Sequence, residues 1–273
     1  MKNFLKKNKI FLLTLLVLIL WASYVAIYFY INKVNNRIGI ISEDPIYIFF
    51  SLISSSFWIF QLIFPIFVIV PATWNFNKKM NSGFIKNYVM RMKYKNCLKS
   101  FYKEALKAAF IVPIFFLFLL FLCCILAGGF KFGSSIDLYN VFSTNLYDYA
   151  SQWKEFTFVY FFNLIMYGIF YVNLSLICCR KKANLAISIV LSFIVYFSLE
   201  IFINLFCGLV FSRLLDIHYT VYLFSLTGAI VYERVKLEYT VIYSICLVII
   251  SSFILYLTYK NEEKVLIEYE KQN

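Results

Sequence analysis

Charge is what this sequence has least of. Asp, Glu, Lys and Arg make up only 15% of its 273 residues, against roughly 25% in an ordinary water-soluble domain. No acidic residue occurs between Asp44 and Glu104. Several catalytic signatures are missing as well. There is no GxxxxGK[ST] phosphate loop, so the chain is not itself a P-loop ATPase. There is no HExxH metal helix and no CxxC pair, and the seven cysteines fall mostly inside apolar runs, which removes a disulfide framework or a zinc site. The single histidine, His218, stands beside Asp216 without a GxSxG elbow, so a hydrolytic triad has nothing to build on and a surface role is expected. The chain reads as a non-enzyme, with no catalytic or metal-binding residues.

What is present is apolar. Hydrophobic residues account for 62% of the chain and mean hydropathy is +0.78. A sphere of this size cannot hide that much apolar surface from water, so lipid must be the solvent for most of it. Joint enrichment in Ile, Phe, Tyr, Lys and Asn resembles the codon bias of an AT-rich genome, which makes the 21% aromatic content a weak guide to function.

Charge-free runs predict six membrane-spanning helices at about 10–32, 46–74, 106–130, 156–179, 183–211 and 238–259. Each reaches the roughly 20 residues needed to cross a bilayer core. Open strands would leave backbone groups unpaired in lipid, and the alternation of a barrel is missing. The predicted fold is an all-α bundle forming one permease-like domain over 1–273. Residues 217–232 are short for a crossing and hold Thr220, Ser225, Thr227 and Gly228; they read as a re-entrant segment before the sixth span rather than a seventh span. The apolar run after MKNFLKKNK exceeds a usual signal-peptide core and lacks a cleavage site, so it reads as an uncleaved first span.

Positive charge orients the bundle. Nineteen Lys/Arg fall at the N-terminus, 78–107, 180–182 and the C-terminal tail, against seven on the other face. By the positive-inside rule both termini are cytoplasmic. The net charge of +12 is therefore topology, and no nucleic-acid partner is implied.

The stretch 75–107 carries most information. Ile85, Tyr88, Val89 and Met92 share one helical face; Tyr94, Cys97, Leu98, Phe101 and Ala105 make a second stripe that starts out of phase. The change near Lys93 predicts a corner between a short helix along the membrane and a long helix rising into span three. Lys95, Lys99, Lys103 and Lys107 recur every fourth residue as a cationic ridge, whose simplest partner is anionic membrane lipid. An ordered elbow joined to two spans is also what a soluble motor could grip.

At this point the chain resembles a family. Six spans with cytoplasmic ends, an amphipathic segment after span two containing Ser82-Gly83-Phe84 and Arg91-Met92-Lys93-Tyr94, an apolar hairpin before span six, and the charged tail Tyr259-Lys260-Asn261-Glu262-Glu263 are similar to the type-2 permease subunit of ATP-binding-cassette (ABC) exporters. It departs from many members in carrying Lys78 and Lys79 where they have a Glu, and in having only nine residues before the first span. The resemblance implies a coupling segment over 75–104 in which Gly83, Phe84, Tyr88, Arg91, Lys93 and Tyr94 meet a cytoplasmic ATP-binding-cassette ATPase. The loop after span four is a second contact. It also implies pairing with a second permease copy or paralogue, ATP and Mg held by the partner subunit with no cofactor in this chain, and export across a bacterial cell membrane.

Inside the spans, Glu200 and Asn204 lie one turn apart and form the expected substrate path, with a contact at the dimer seam as the equal alternative. Asn163, Asn173, Ser54, Ser55, Ser56 and Gln61 are expected to hydrogen-bond between helices. Pro65 and Pro113 are expected to disturb spans two and three. Cys123–Cys124 and Cys178–Cys179 read as small apolar packers, and Trp74 and Trp153 as interfacial residues. The aromatic content would suit an amphipathic or hydrophobic cargo, a peptide above all. Two other functions stay open: a stand-alone immunity or sensor protein for a peptide, and a secondary transporter.

Overall fold

The computed structural model describes residues 9–34, 45–81, 89, 91, 93–127, 129–130, 153–181, 185–206, 237–262 and 265. Among these every regular element is helical. The helices are α1 (Lys9–Val34), α2 (Pro45–Asn81), α3 (Tyr94–Ala105), a 3-10 segment (Leu106–Phe110), α4 (Ile111–Leu126), α5 (Trp153–Lys181), α6 (Leu185–Phe206) and α7 (Leu237–Tyr259). Four stretches are long and apolar enough to cross a membrane: Lys9–Tyr28, Tyr94–Leu126, Thr157–Arg180 and Thr240–Tyr259. The shorter Leu185–Leu199 is also apolar. Helix α2 contains the predicted second span, though the side chains of residues 50–63 lie outside the described part. So do the proposed re-entrant segment 217–232 and residues 134–152.

Helices α2 and α5 form the centre. Helix α5 packs on α2, α4, α6, α7 and the 3-10 segment, and its pairing with α7 is the most extensive among the described residues. Burial follows from this arrangement. On α5, Leu164, Tyr167, Tyr171, Val172 and Leu176 are all fully enclosed. On α1, Leu18, Ala22 and Ala26 repeat every fourth residue and turn inward, while Leu13, Leu20, Tyr24 and Ile27 stay exposed. The two alanines let α1 approach its neighbours closely. Above them Trp21 stacks flat on Phe115 of α4, with ring centroids 5.8 Å apart. The outer faces of α1, α4, α6 and α7 carry large apolar side chains, a surface suited to hydrocarbon and unsuited to water. Several apolar helices with such faces mark a membrane protein.

The irregularities have local causes. At the position expected for the corner, Lys93 is extended, with φ −59° and ψ 136°, and α3 starts at the next residue; the short helix expected before it lies largely outside the described residues. Pro113 has no N–H to offer the carbonyl four residues back, that of Ala109. The chain just before it tightens into the 3-10 segment Leu106–Phe110 instead of continuing as α-helix. Pro65 and Pro71 both lie inside α2, which continues through them as one helix.

Candidate functional site

The described part of the proposed coupling segment is a junction at the lysine-rich end of the bundle. Helix α3 buries Tyr94, Cys97, Phe101 and Ala105 along one stripe, with Leu98 partly covered beside it. Lys95, Lys99, Lys103 and Lys107 are all exposed. At 100° per residue the two sets fall on opposite sides of the helix. The inward stripe meets α2, whose Phe76 and Met80 belong to the same core. Lys79 of α2 forms an ion pair with Glu104, and its ammonium also lies 4.9 Å from the centre of the Phe101 ring. Both partners of the pair are partly exposed, so it contributes at most about 1 kcal/mol. Glu104, the acid of α3, thus answers one of the lysines that stand where the resembled family has a glutamate.

Three hydrogen bonds fix the depth of α3 in the bundle. The Tyr94 hydroxyl donates to the backbone carbonyl of Tyr259 at 3.1 Å. This carbonyl belongs to the last turn of α7. The Tyr259 hydroxyl in turn donates to the Leu176 carbonyl of α5 at 2.8 Å. Phe76 of α2 closes over the same Tyr259 ring edge-on, at 5.6 Å. Two turns further along α3, the Tyr102 hydroxyl donates to Asn173 Oδ1 at 2.8 Å. The ends of α2, α3, α5 and α7 are therefore held as one body. Arg180 at the end of α5 and Glu262 of the tail lie within electrostatic reach of Tyr94. The tail makes one further helical bond, Val265 N–H to Asn261 carbonyl at 3.1 Å, and tucks Val265 into the main core.

A polar ladder runs between α5 and α7. Asn173 Nδ2 donates to Ser251 Oγ and Ser252 Oγ, both at 3.0 Å. Asn163 Nδ2 donates to Thr240 Oγ1 at 3.1 Å and Asn163 Oδ1 receives the Ser244 hydroxyl at 2.9 Å. The expectation that both asparagines bond between helices is met. Asn173 alone ties α3, α5 and α7.

Between the two rungs, α5 passes the 3-10 segment at close range. A Cβ on Gly168 would lie 2.6 Å from the Ala109 carbonyl oxygen and 2.9 Å from Ala109 Cα. Only glycine fits there. The carbonyl it faces is the one that Pro113 cannot bond, so the tightened turn and the glycine coincide.

Of the residues expected to meet an ATPase, Arg91 and Lys93 are exposed at the corner, while Tyr94 is buried and points into the bundle. Tyr94 therefore serves inside the junction and presents little to a partner. Gly83, Phe84 and Tyr88 lie outside the described residues. Glu200 and Asn204 fall within α6, but their side chains lie outside the described part. Helix α3 also differs from a free-standing handle. Its bonds to Asn173 and Tyr259 lay it along the bundle, with the tip level with the ends of α5 and α7. Tyr102, Gly168, Phe76 and the role of Tyr259 do not stand out in the sequence; an isolated glycine in an apolar helix is the one usable signal among them. Cys123, Cys124, Cys178 and Cys179 are buried, as small packers should be. Among the described residues no cluster of metal-ligating groups occurs.

No protein-family model matches this chain, and no curated protein or solved structure matches it.

Proposed function

We propose that the chain is the membrane permease subunit of an ATP-binding-cassette exporter, driven by a separate cytoplasmic ATPase that binds at the corner formed by Gly83, Phe84, Tyr88, Arg91 and Lys93. In this reading the chain is not an enzyme, ATP and Mg belong to the partner, and two permease subunits together enclose a path in a bacterial cell membrane. Six spans with both termini in the cytoplasm are part of the same proposal, as is an amphipathic or hydrophobic cargo.

One observation carries it. The exposed Arg91–Lys93 corner is followed at once by Tyr94, whose phenol bonds the end of α7, while Tyr259 bonds α5 and Lys79 bonds Glu104. Force applied at such a corner reaches four helices without a slack joint. A lipid-facing ornament would need no such bracing. The conversion is a conformational step, and bond chemistry stays with the partner. Co-expression with an ATP-binding subunit encoded beside this chain tests the reading: the two should purify as one complex. A permease fraction that never retains the ATPase would refute it.

A further inference from the structure

The same hydrogen bonds that tie α3 to the bundle expose a mismatch in depth. Thr240–Tyr259 of α7 is 20 residues long, about 30 Å of helix, the thickness of a bilayer core. If α7 crosses the membrane, Tyr259 lies at its surface, and charge begins there on α5 and the tail with Arg180, Lys260 and Glu262. Tyr94 is bonded to Tyr259, so Tyr94 is at the surface too. From there α3 runs inward. Tyr102 is linked through Asn173 to Ser251, eight residues and about 12 Å below Tyr259. Lys103 adjoins Tyr102 and Lys107 is a further turn down. At this depth α7 exposes Ile249, Ile250 and Phe253, each more than half open. One level of the molecule thus shows isoleucine and phenylalanine on one side and lysine on another.

Hydrocarbon cannot solvate both. A lysine at mid-helix is costly in hydrocarbon, and such residues face the bundle interior or a water-filled cavity. The lysines cannot turn inward, because the opposite face of α3 is the buried stripe. We infer that the lysine face of α3 borders a water-filled recess, sunk below the membrane surface that α5 and α7 define, which receives the anionic group of an amphiphile. Glu104, the acid on α3, is committed to Lys79, so the ridge keeps its positive sign. Below Lys107 the next exposed residues of the same continuous helix are Phe110, Ile114 and Leu117, an apolar surface for the rest of the molecule. A phosphate or carboxylate on the lysines with an alkyl portion along these residues matches the surface throughout. Export of that amphiphile rests on the permease reading; the recess itself does not.

The test uses the full chain alone in phosphatidylcholine nanodiscs, so the absence of a motor would not affect it. Lys103→Cys and Ile250→Cys are labelled with a hydrophilic maleimide, over the unmodified chain as background. Only the thiolate reacts, and hydrocarbon suppresses it, so Lys103→Cys should label at least about tenfold faster. Dodecyl phosphate should slow labelling at Lys103→Cys, whereas dodecyl maltoside and dodecyltrimethylammonium should not. Changing Lys95, Lys99 and Lys107 to Gln should abolish that protection. Equal labelling at both sites would make the ridge ordinary surface and overturn the recess. Failure of Lys103→Cys to label would overturn it likewise. Fast labelling without protection by dodecyl phosphate would reject the anionic ligand.

Discussion

Tyr94 and Tyr259 are 165 positions apart and share a hydrogen bond, phenol to carbonyl, at 3.1 Å. It joins the first turn of α3 to the last turn of α7. Tyr259 passes the link on to Leu176, so one tyrosine bridges two helices through its backbone and its side chain.

Removing the Tyr94 hydroxyl tests that bridge. Tyr94→Phe keeps the buried ring and removes one hydrogen bond to the Tyr259 carbonyl, so stability should fall by about 0.5–1.5 kcal/mol. Tyr94→Ala also empties the ring's volume and should cost about 3–5 kcal/mol. Denaturant titration in detergent, followed by tryptophan fluorescence, reads both. Equal effects would mean the hydroxyl carries the whole interaction.

The two asparagine rungs should differ in weight. Asn173→Leu removes bonds to Tyr102, Ser251 and Ser252 on two helices, whereas Asn163→Leu removes bonds to Thr240 and Ser244 on one. Membrane hydrogen bonds average about 0.6 kcal/mol each, so Asn173→Leu is expected to be the more destabilising in the same titration. The reverse order would show that the α3 bond adds nothing.

Gly168→Ala should push α5 from the 3-10 segment, at about 1–3 kcal/mol, the usual range for overpacking. The nearest atoms are the backbone oxygen and Cα of Ala109, with its Cβ third at 3.1 Å. Adding Ala109→Gly should therefore fail to rescue the variant. Full rescue would place the clash on the side chain instead. Thermal midpoints of the single and double variants settle it.

Much of this architecture is legible in the amino-acid sequence. Apolar runs place the helices because lipid forces backbone groups to bond within each segment. The second apolar stripe places the buried face of α3, and the lysine spacing places its exposed face. Buried asparagines in apolar runs signal interhelical bonds by their cost alone. The partners are not legible. Nothing local distinguishes Tyr94 or Tyr259 from the chain's other tyrosines, and their meeting depends on how α3 and α7 are laid together. Lys79 pairs with Glu104 between α2 and α3, which requires knowing how the two helices are laid together. The depth of the lysine ridge follows only from those pairings, so sequence alone presents it as a protruding handle.

The most direct test of the motor contact is ATPase stimulation in the reconstituted complex, comparing the unmodified chain with Arg91→Glu combined with Lys93→Glu. Both side chains are exposed at the corner and outside the buried junction, so insertion and expression should be unchanged. Stimulation by the unmodified permease should fall about tenfold in the double variant, equivalent to about 1.4 kcal/mol of lost coupling. A double variant that stimulates its ATPase as well as the unmodified chain would contradict the account.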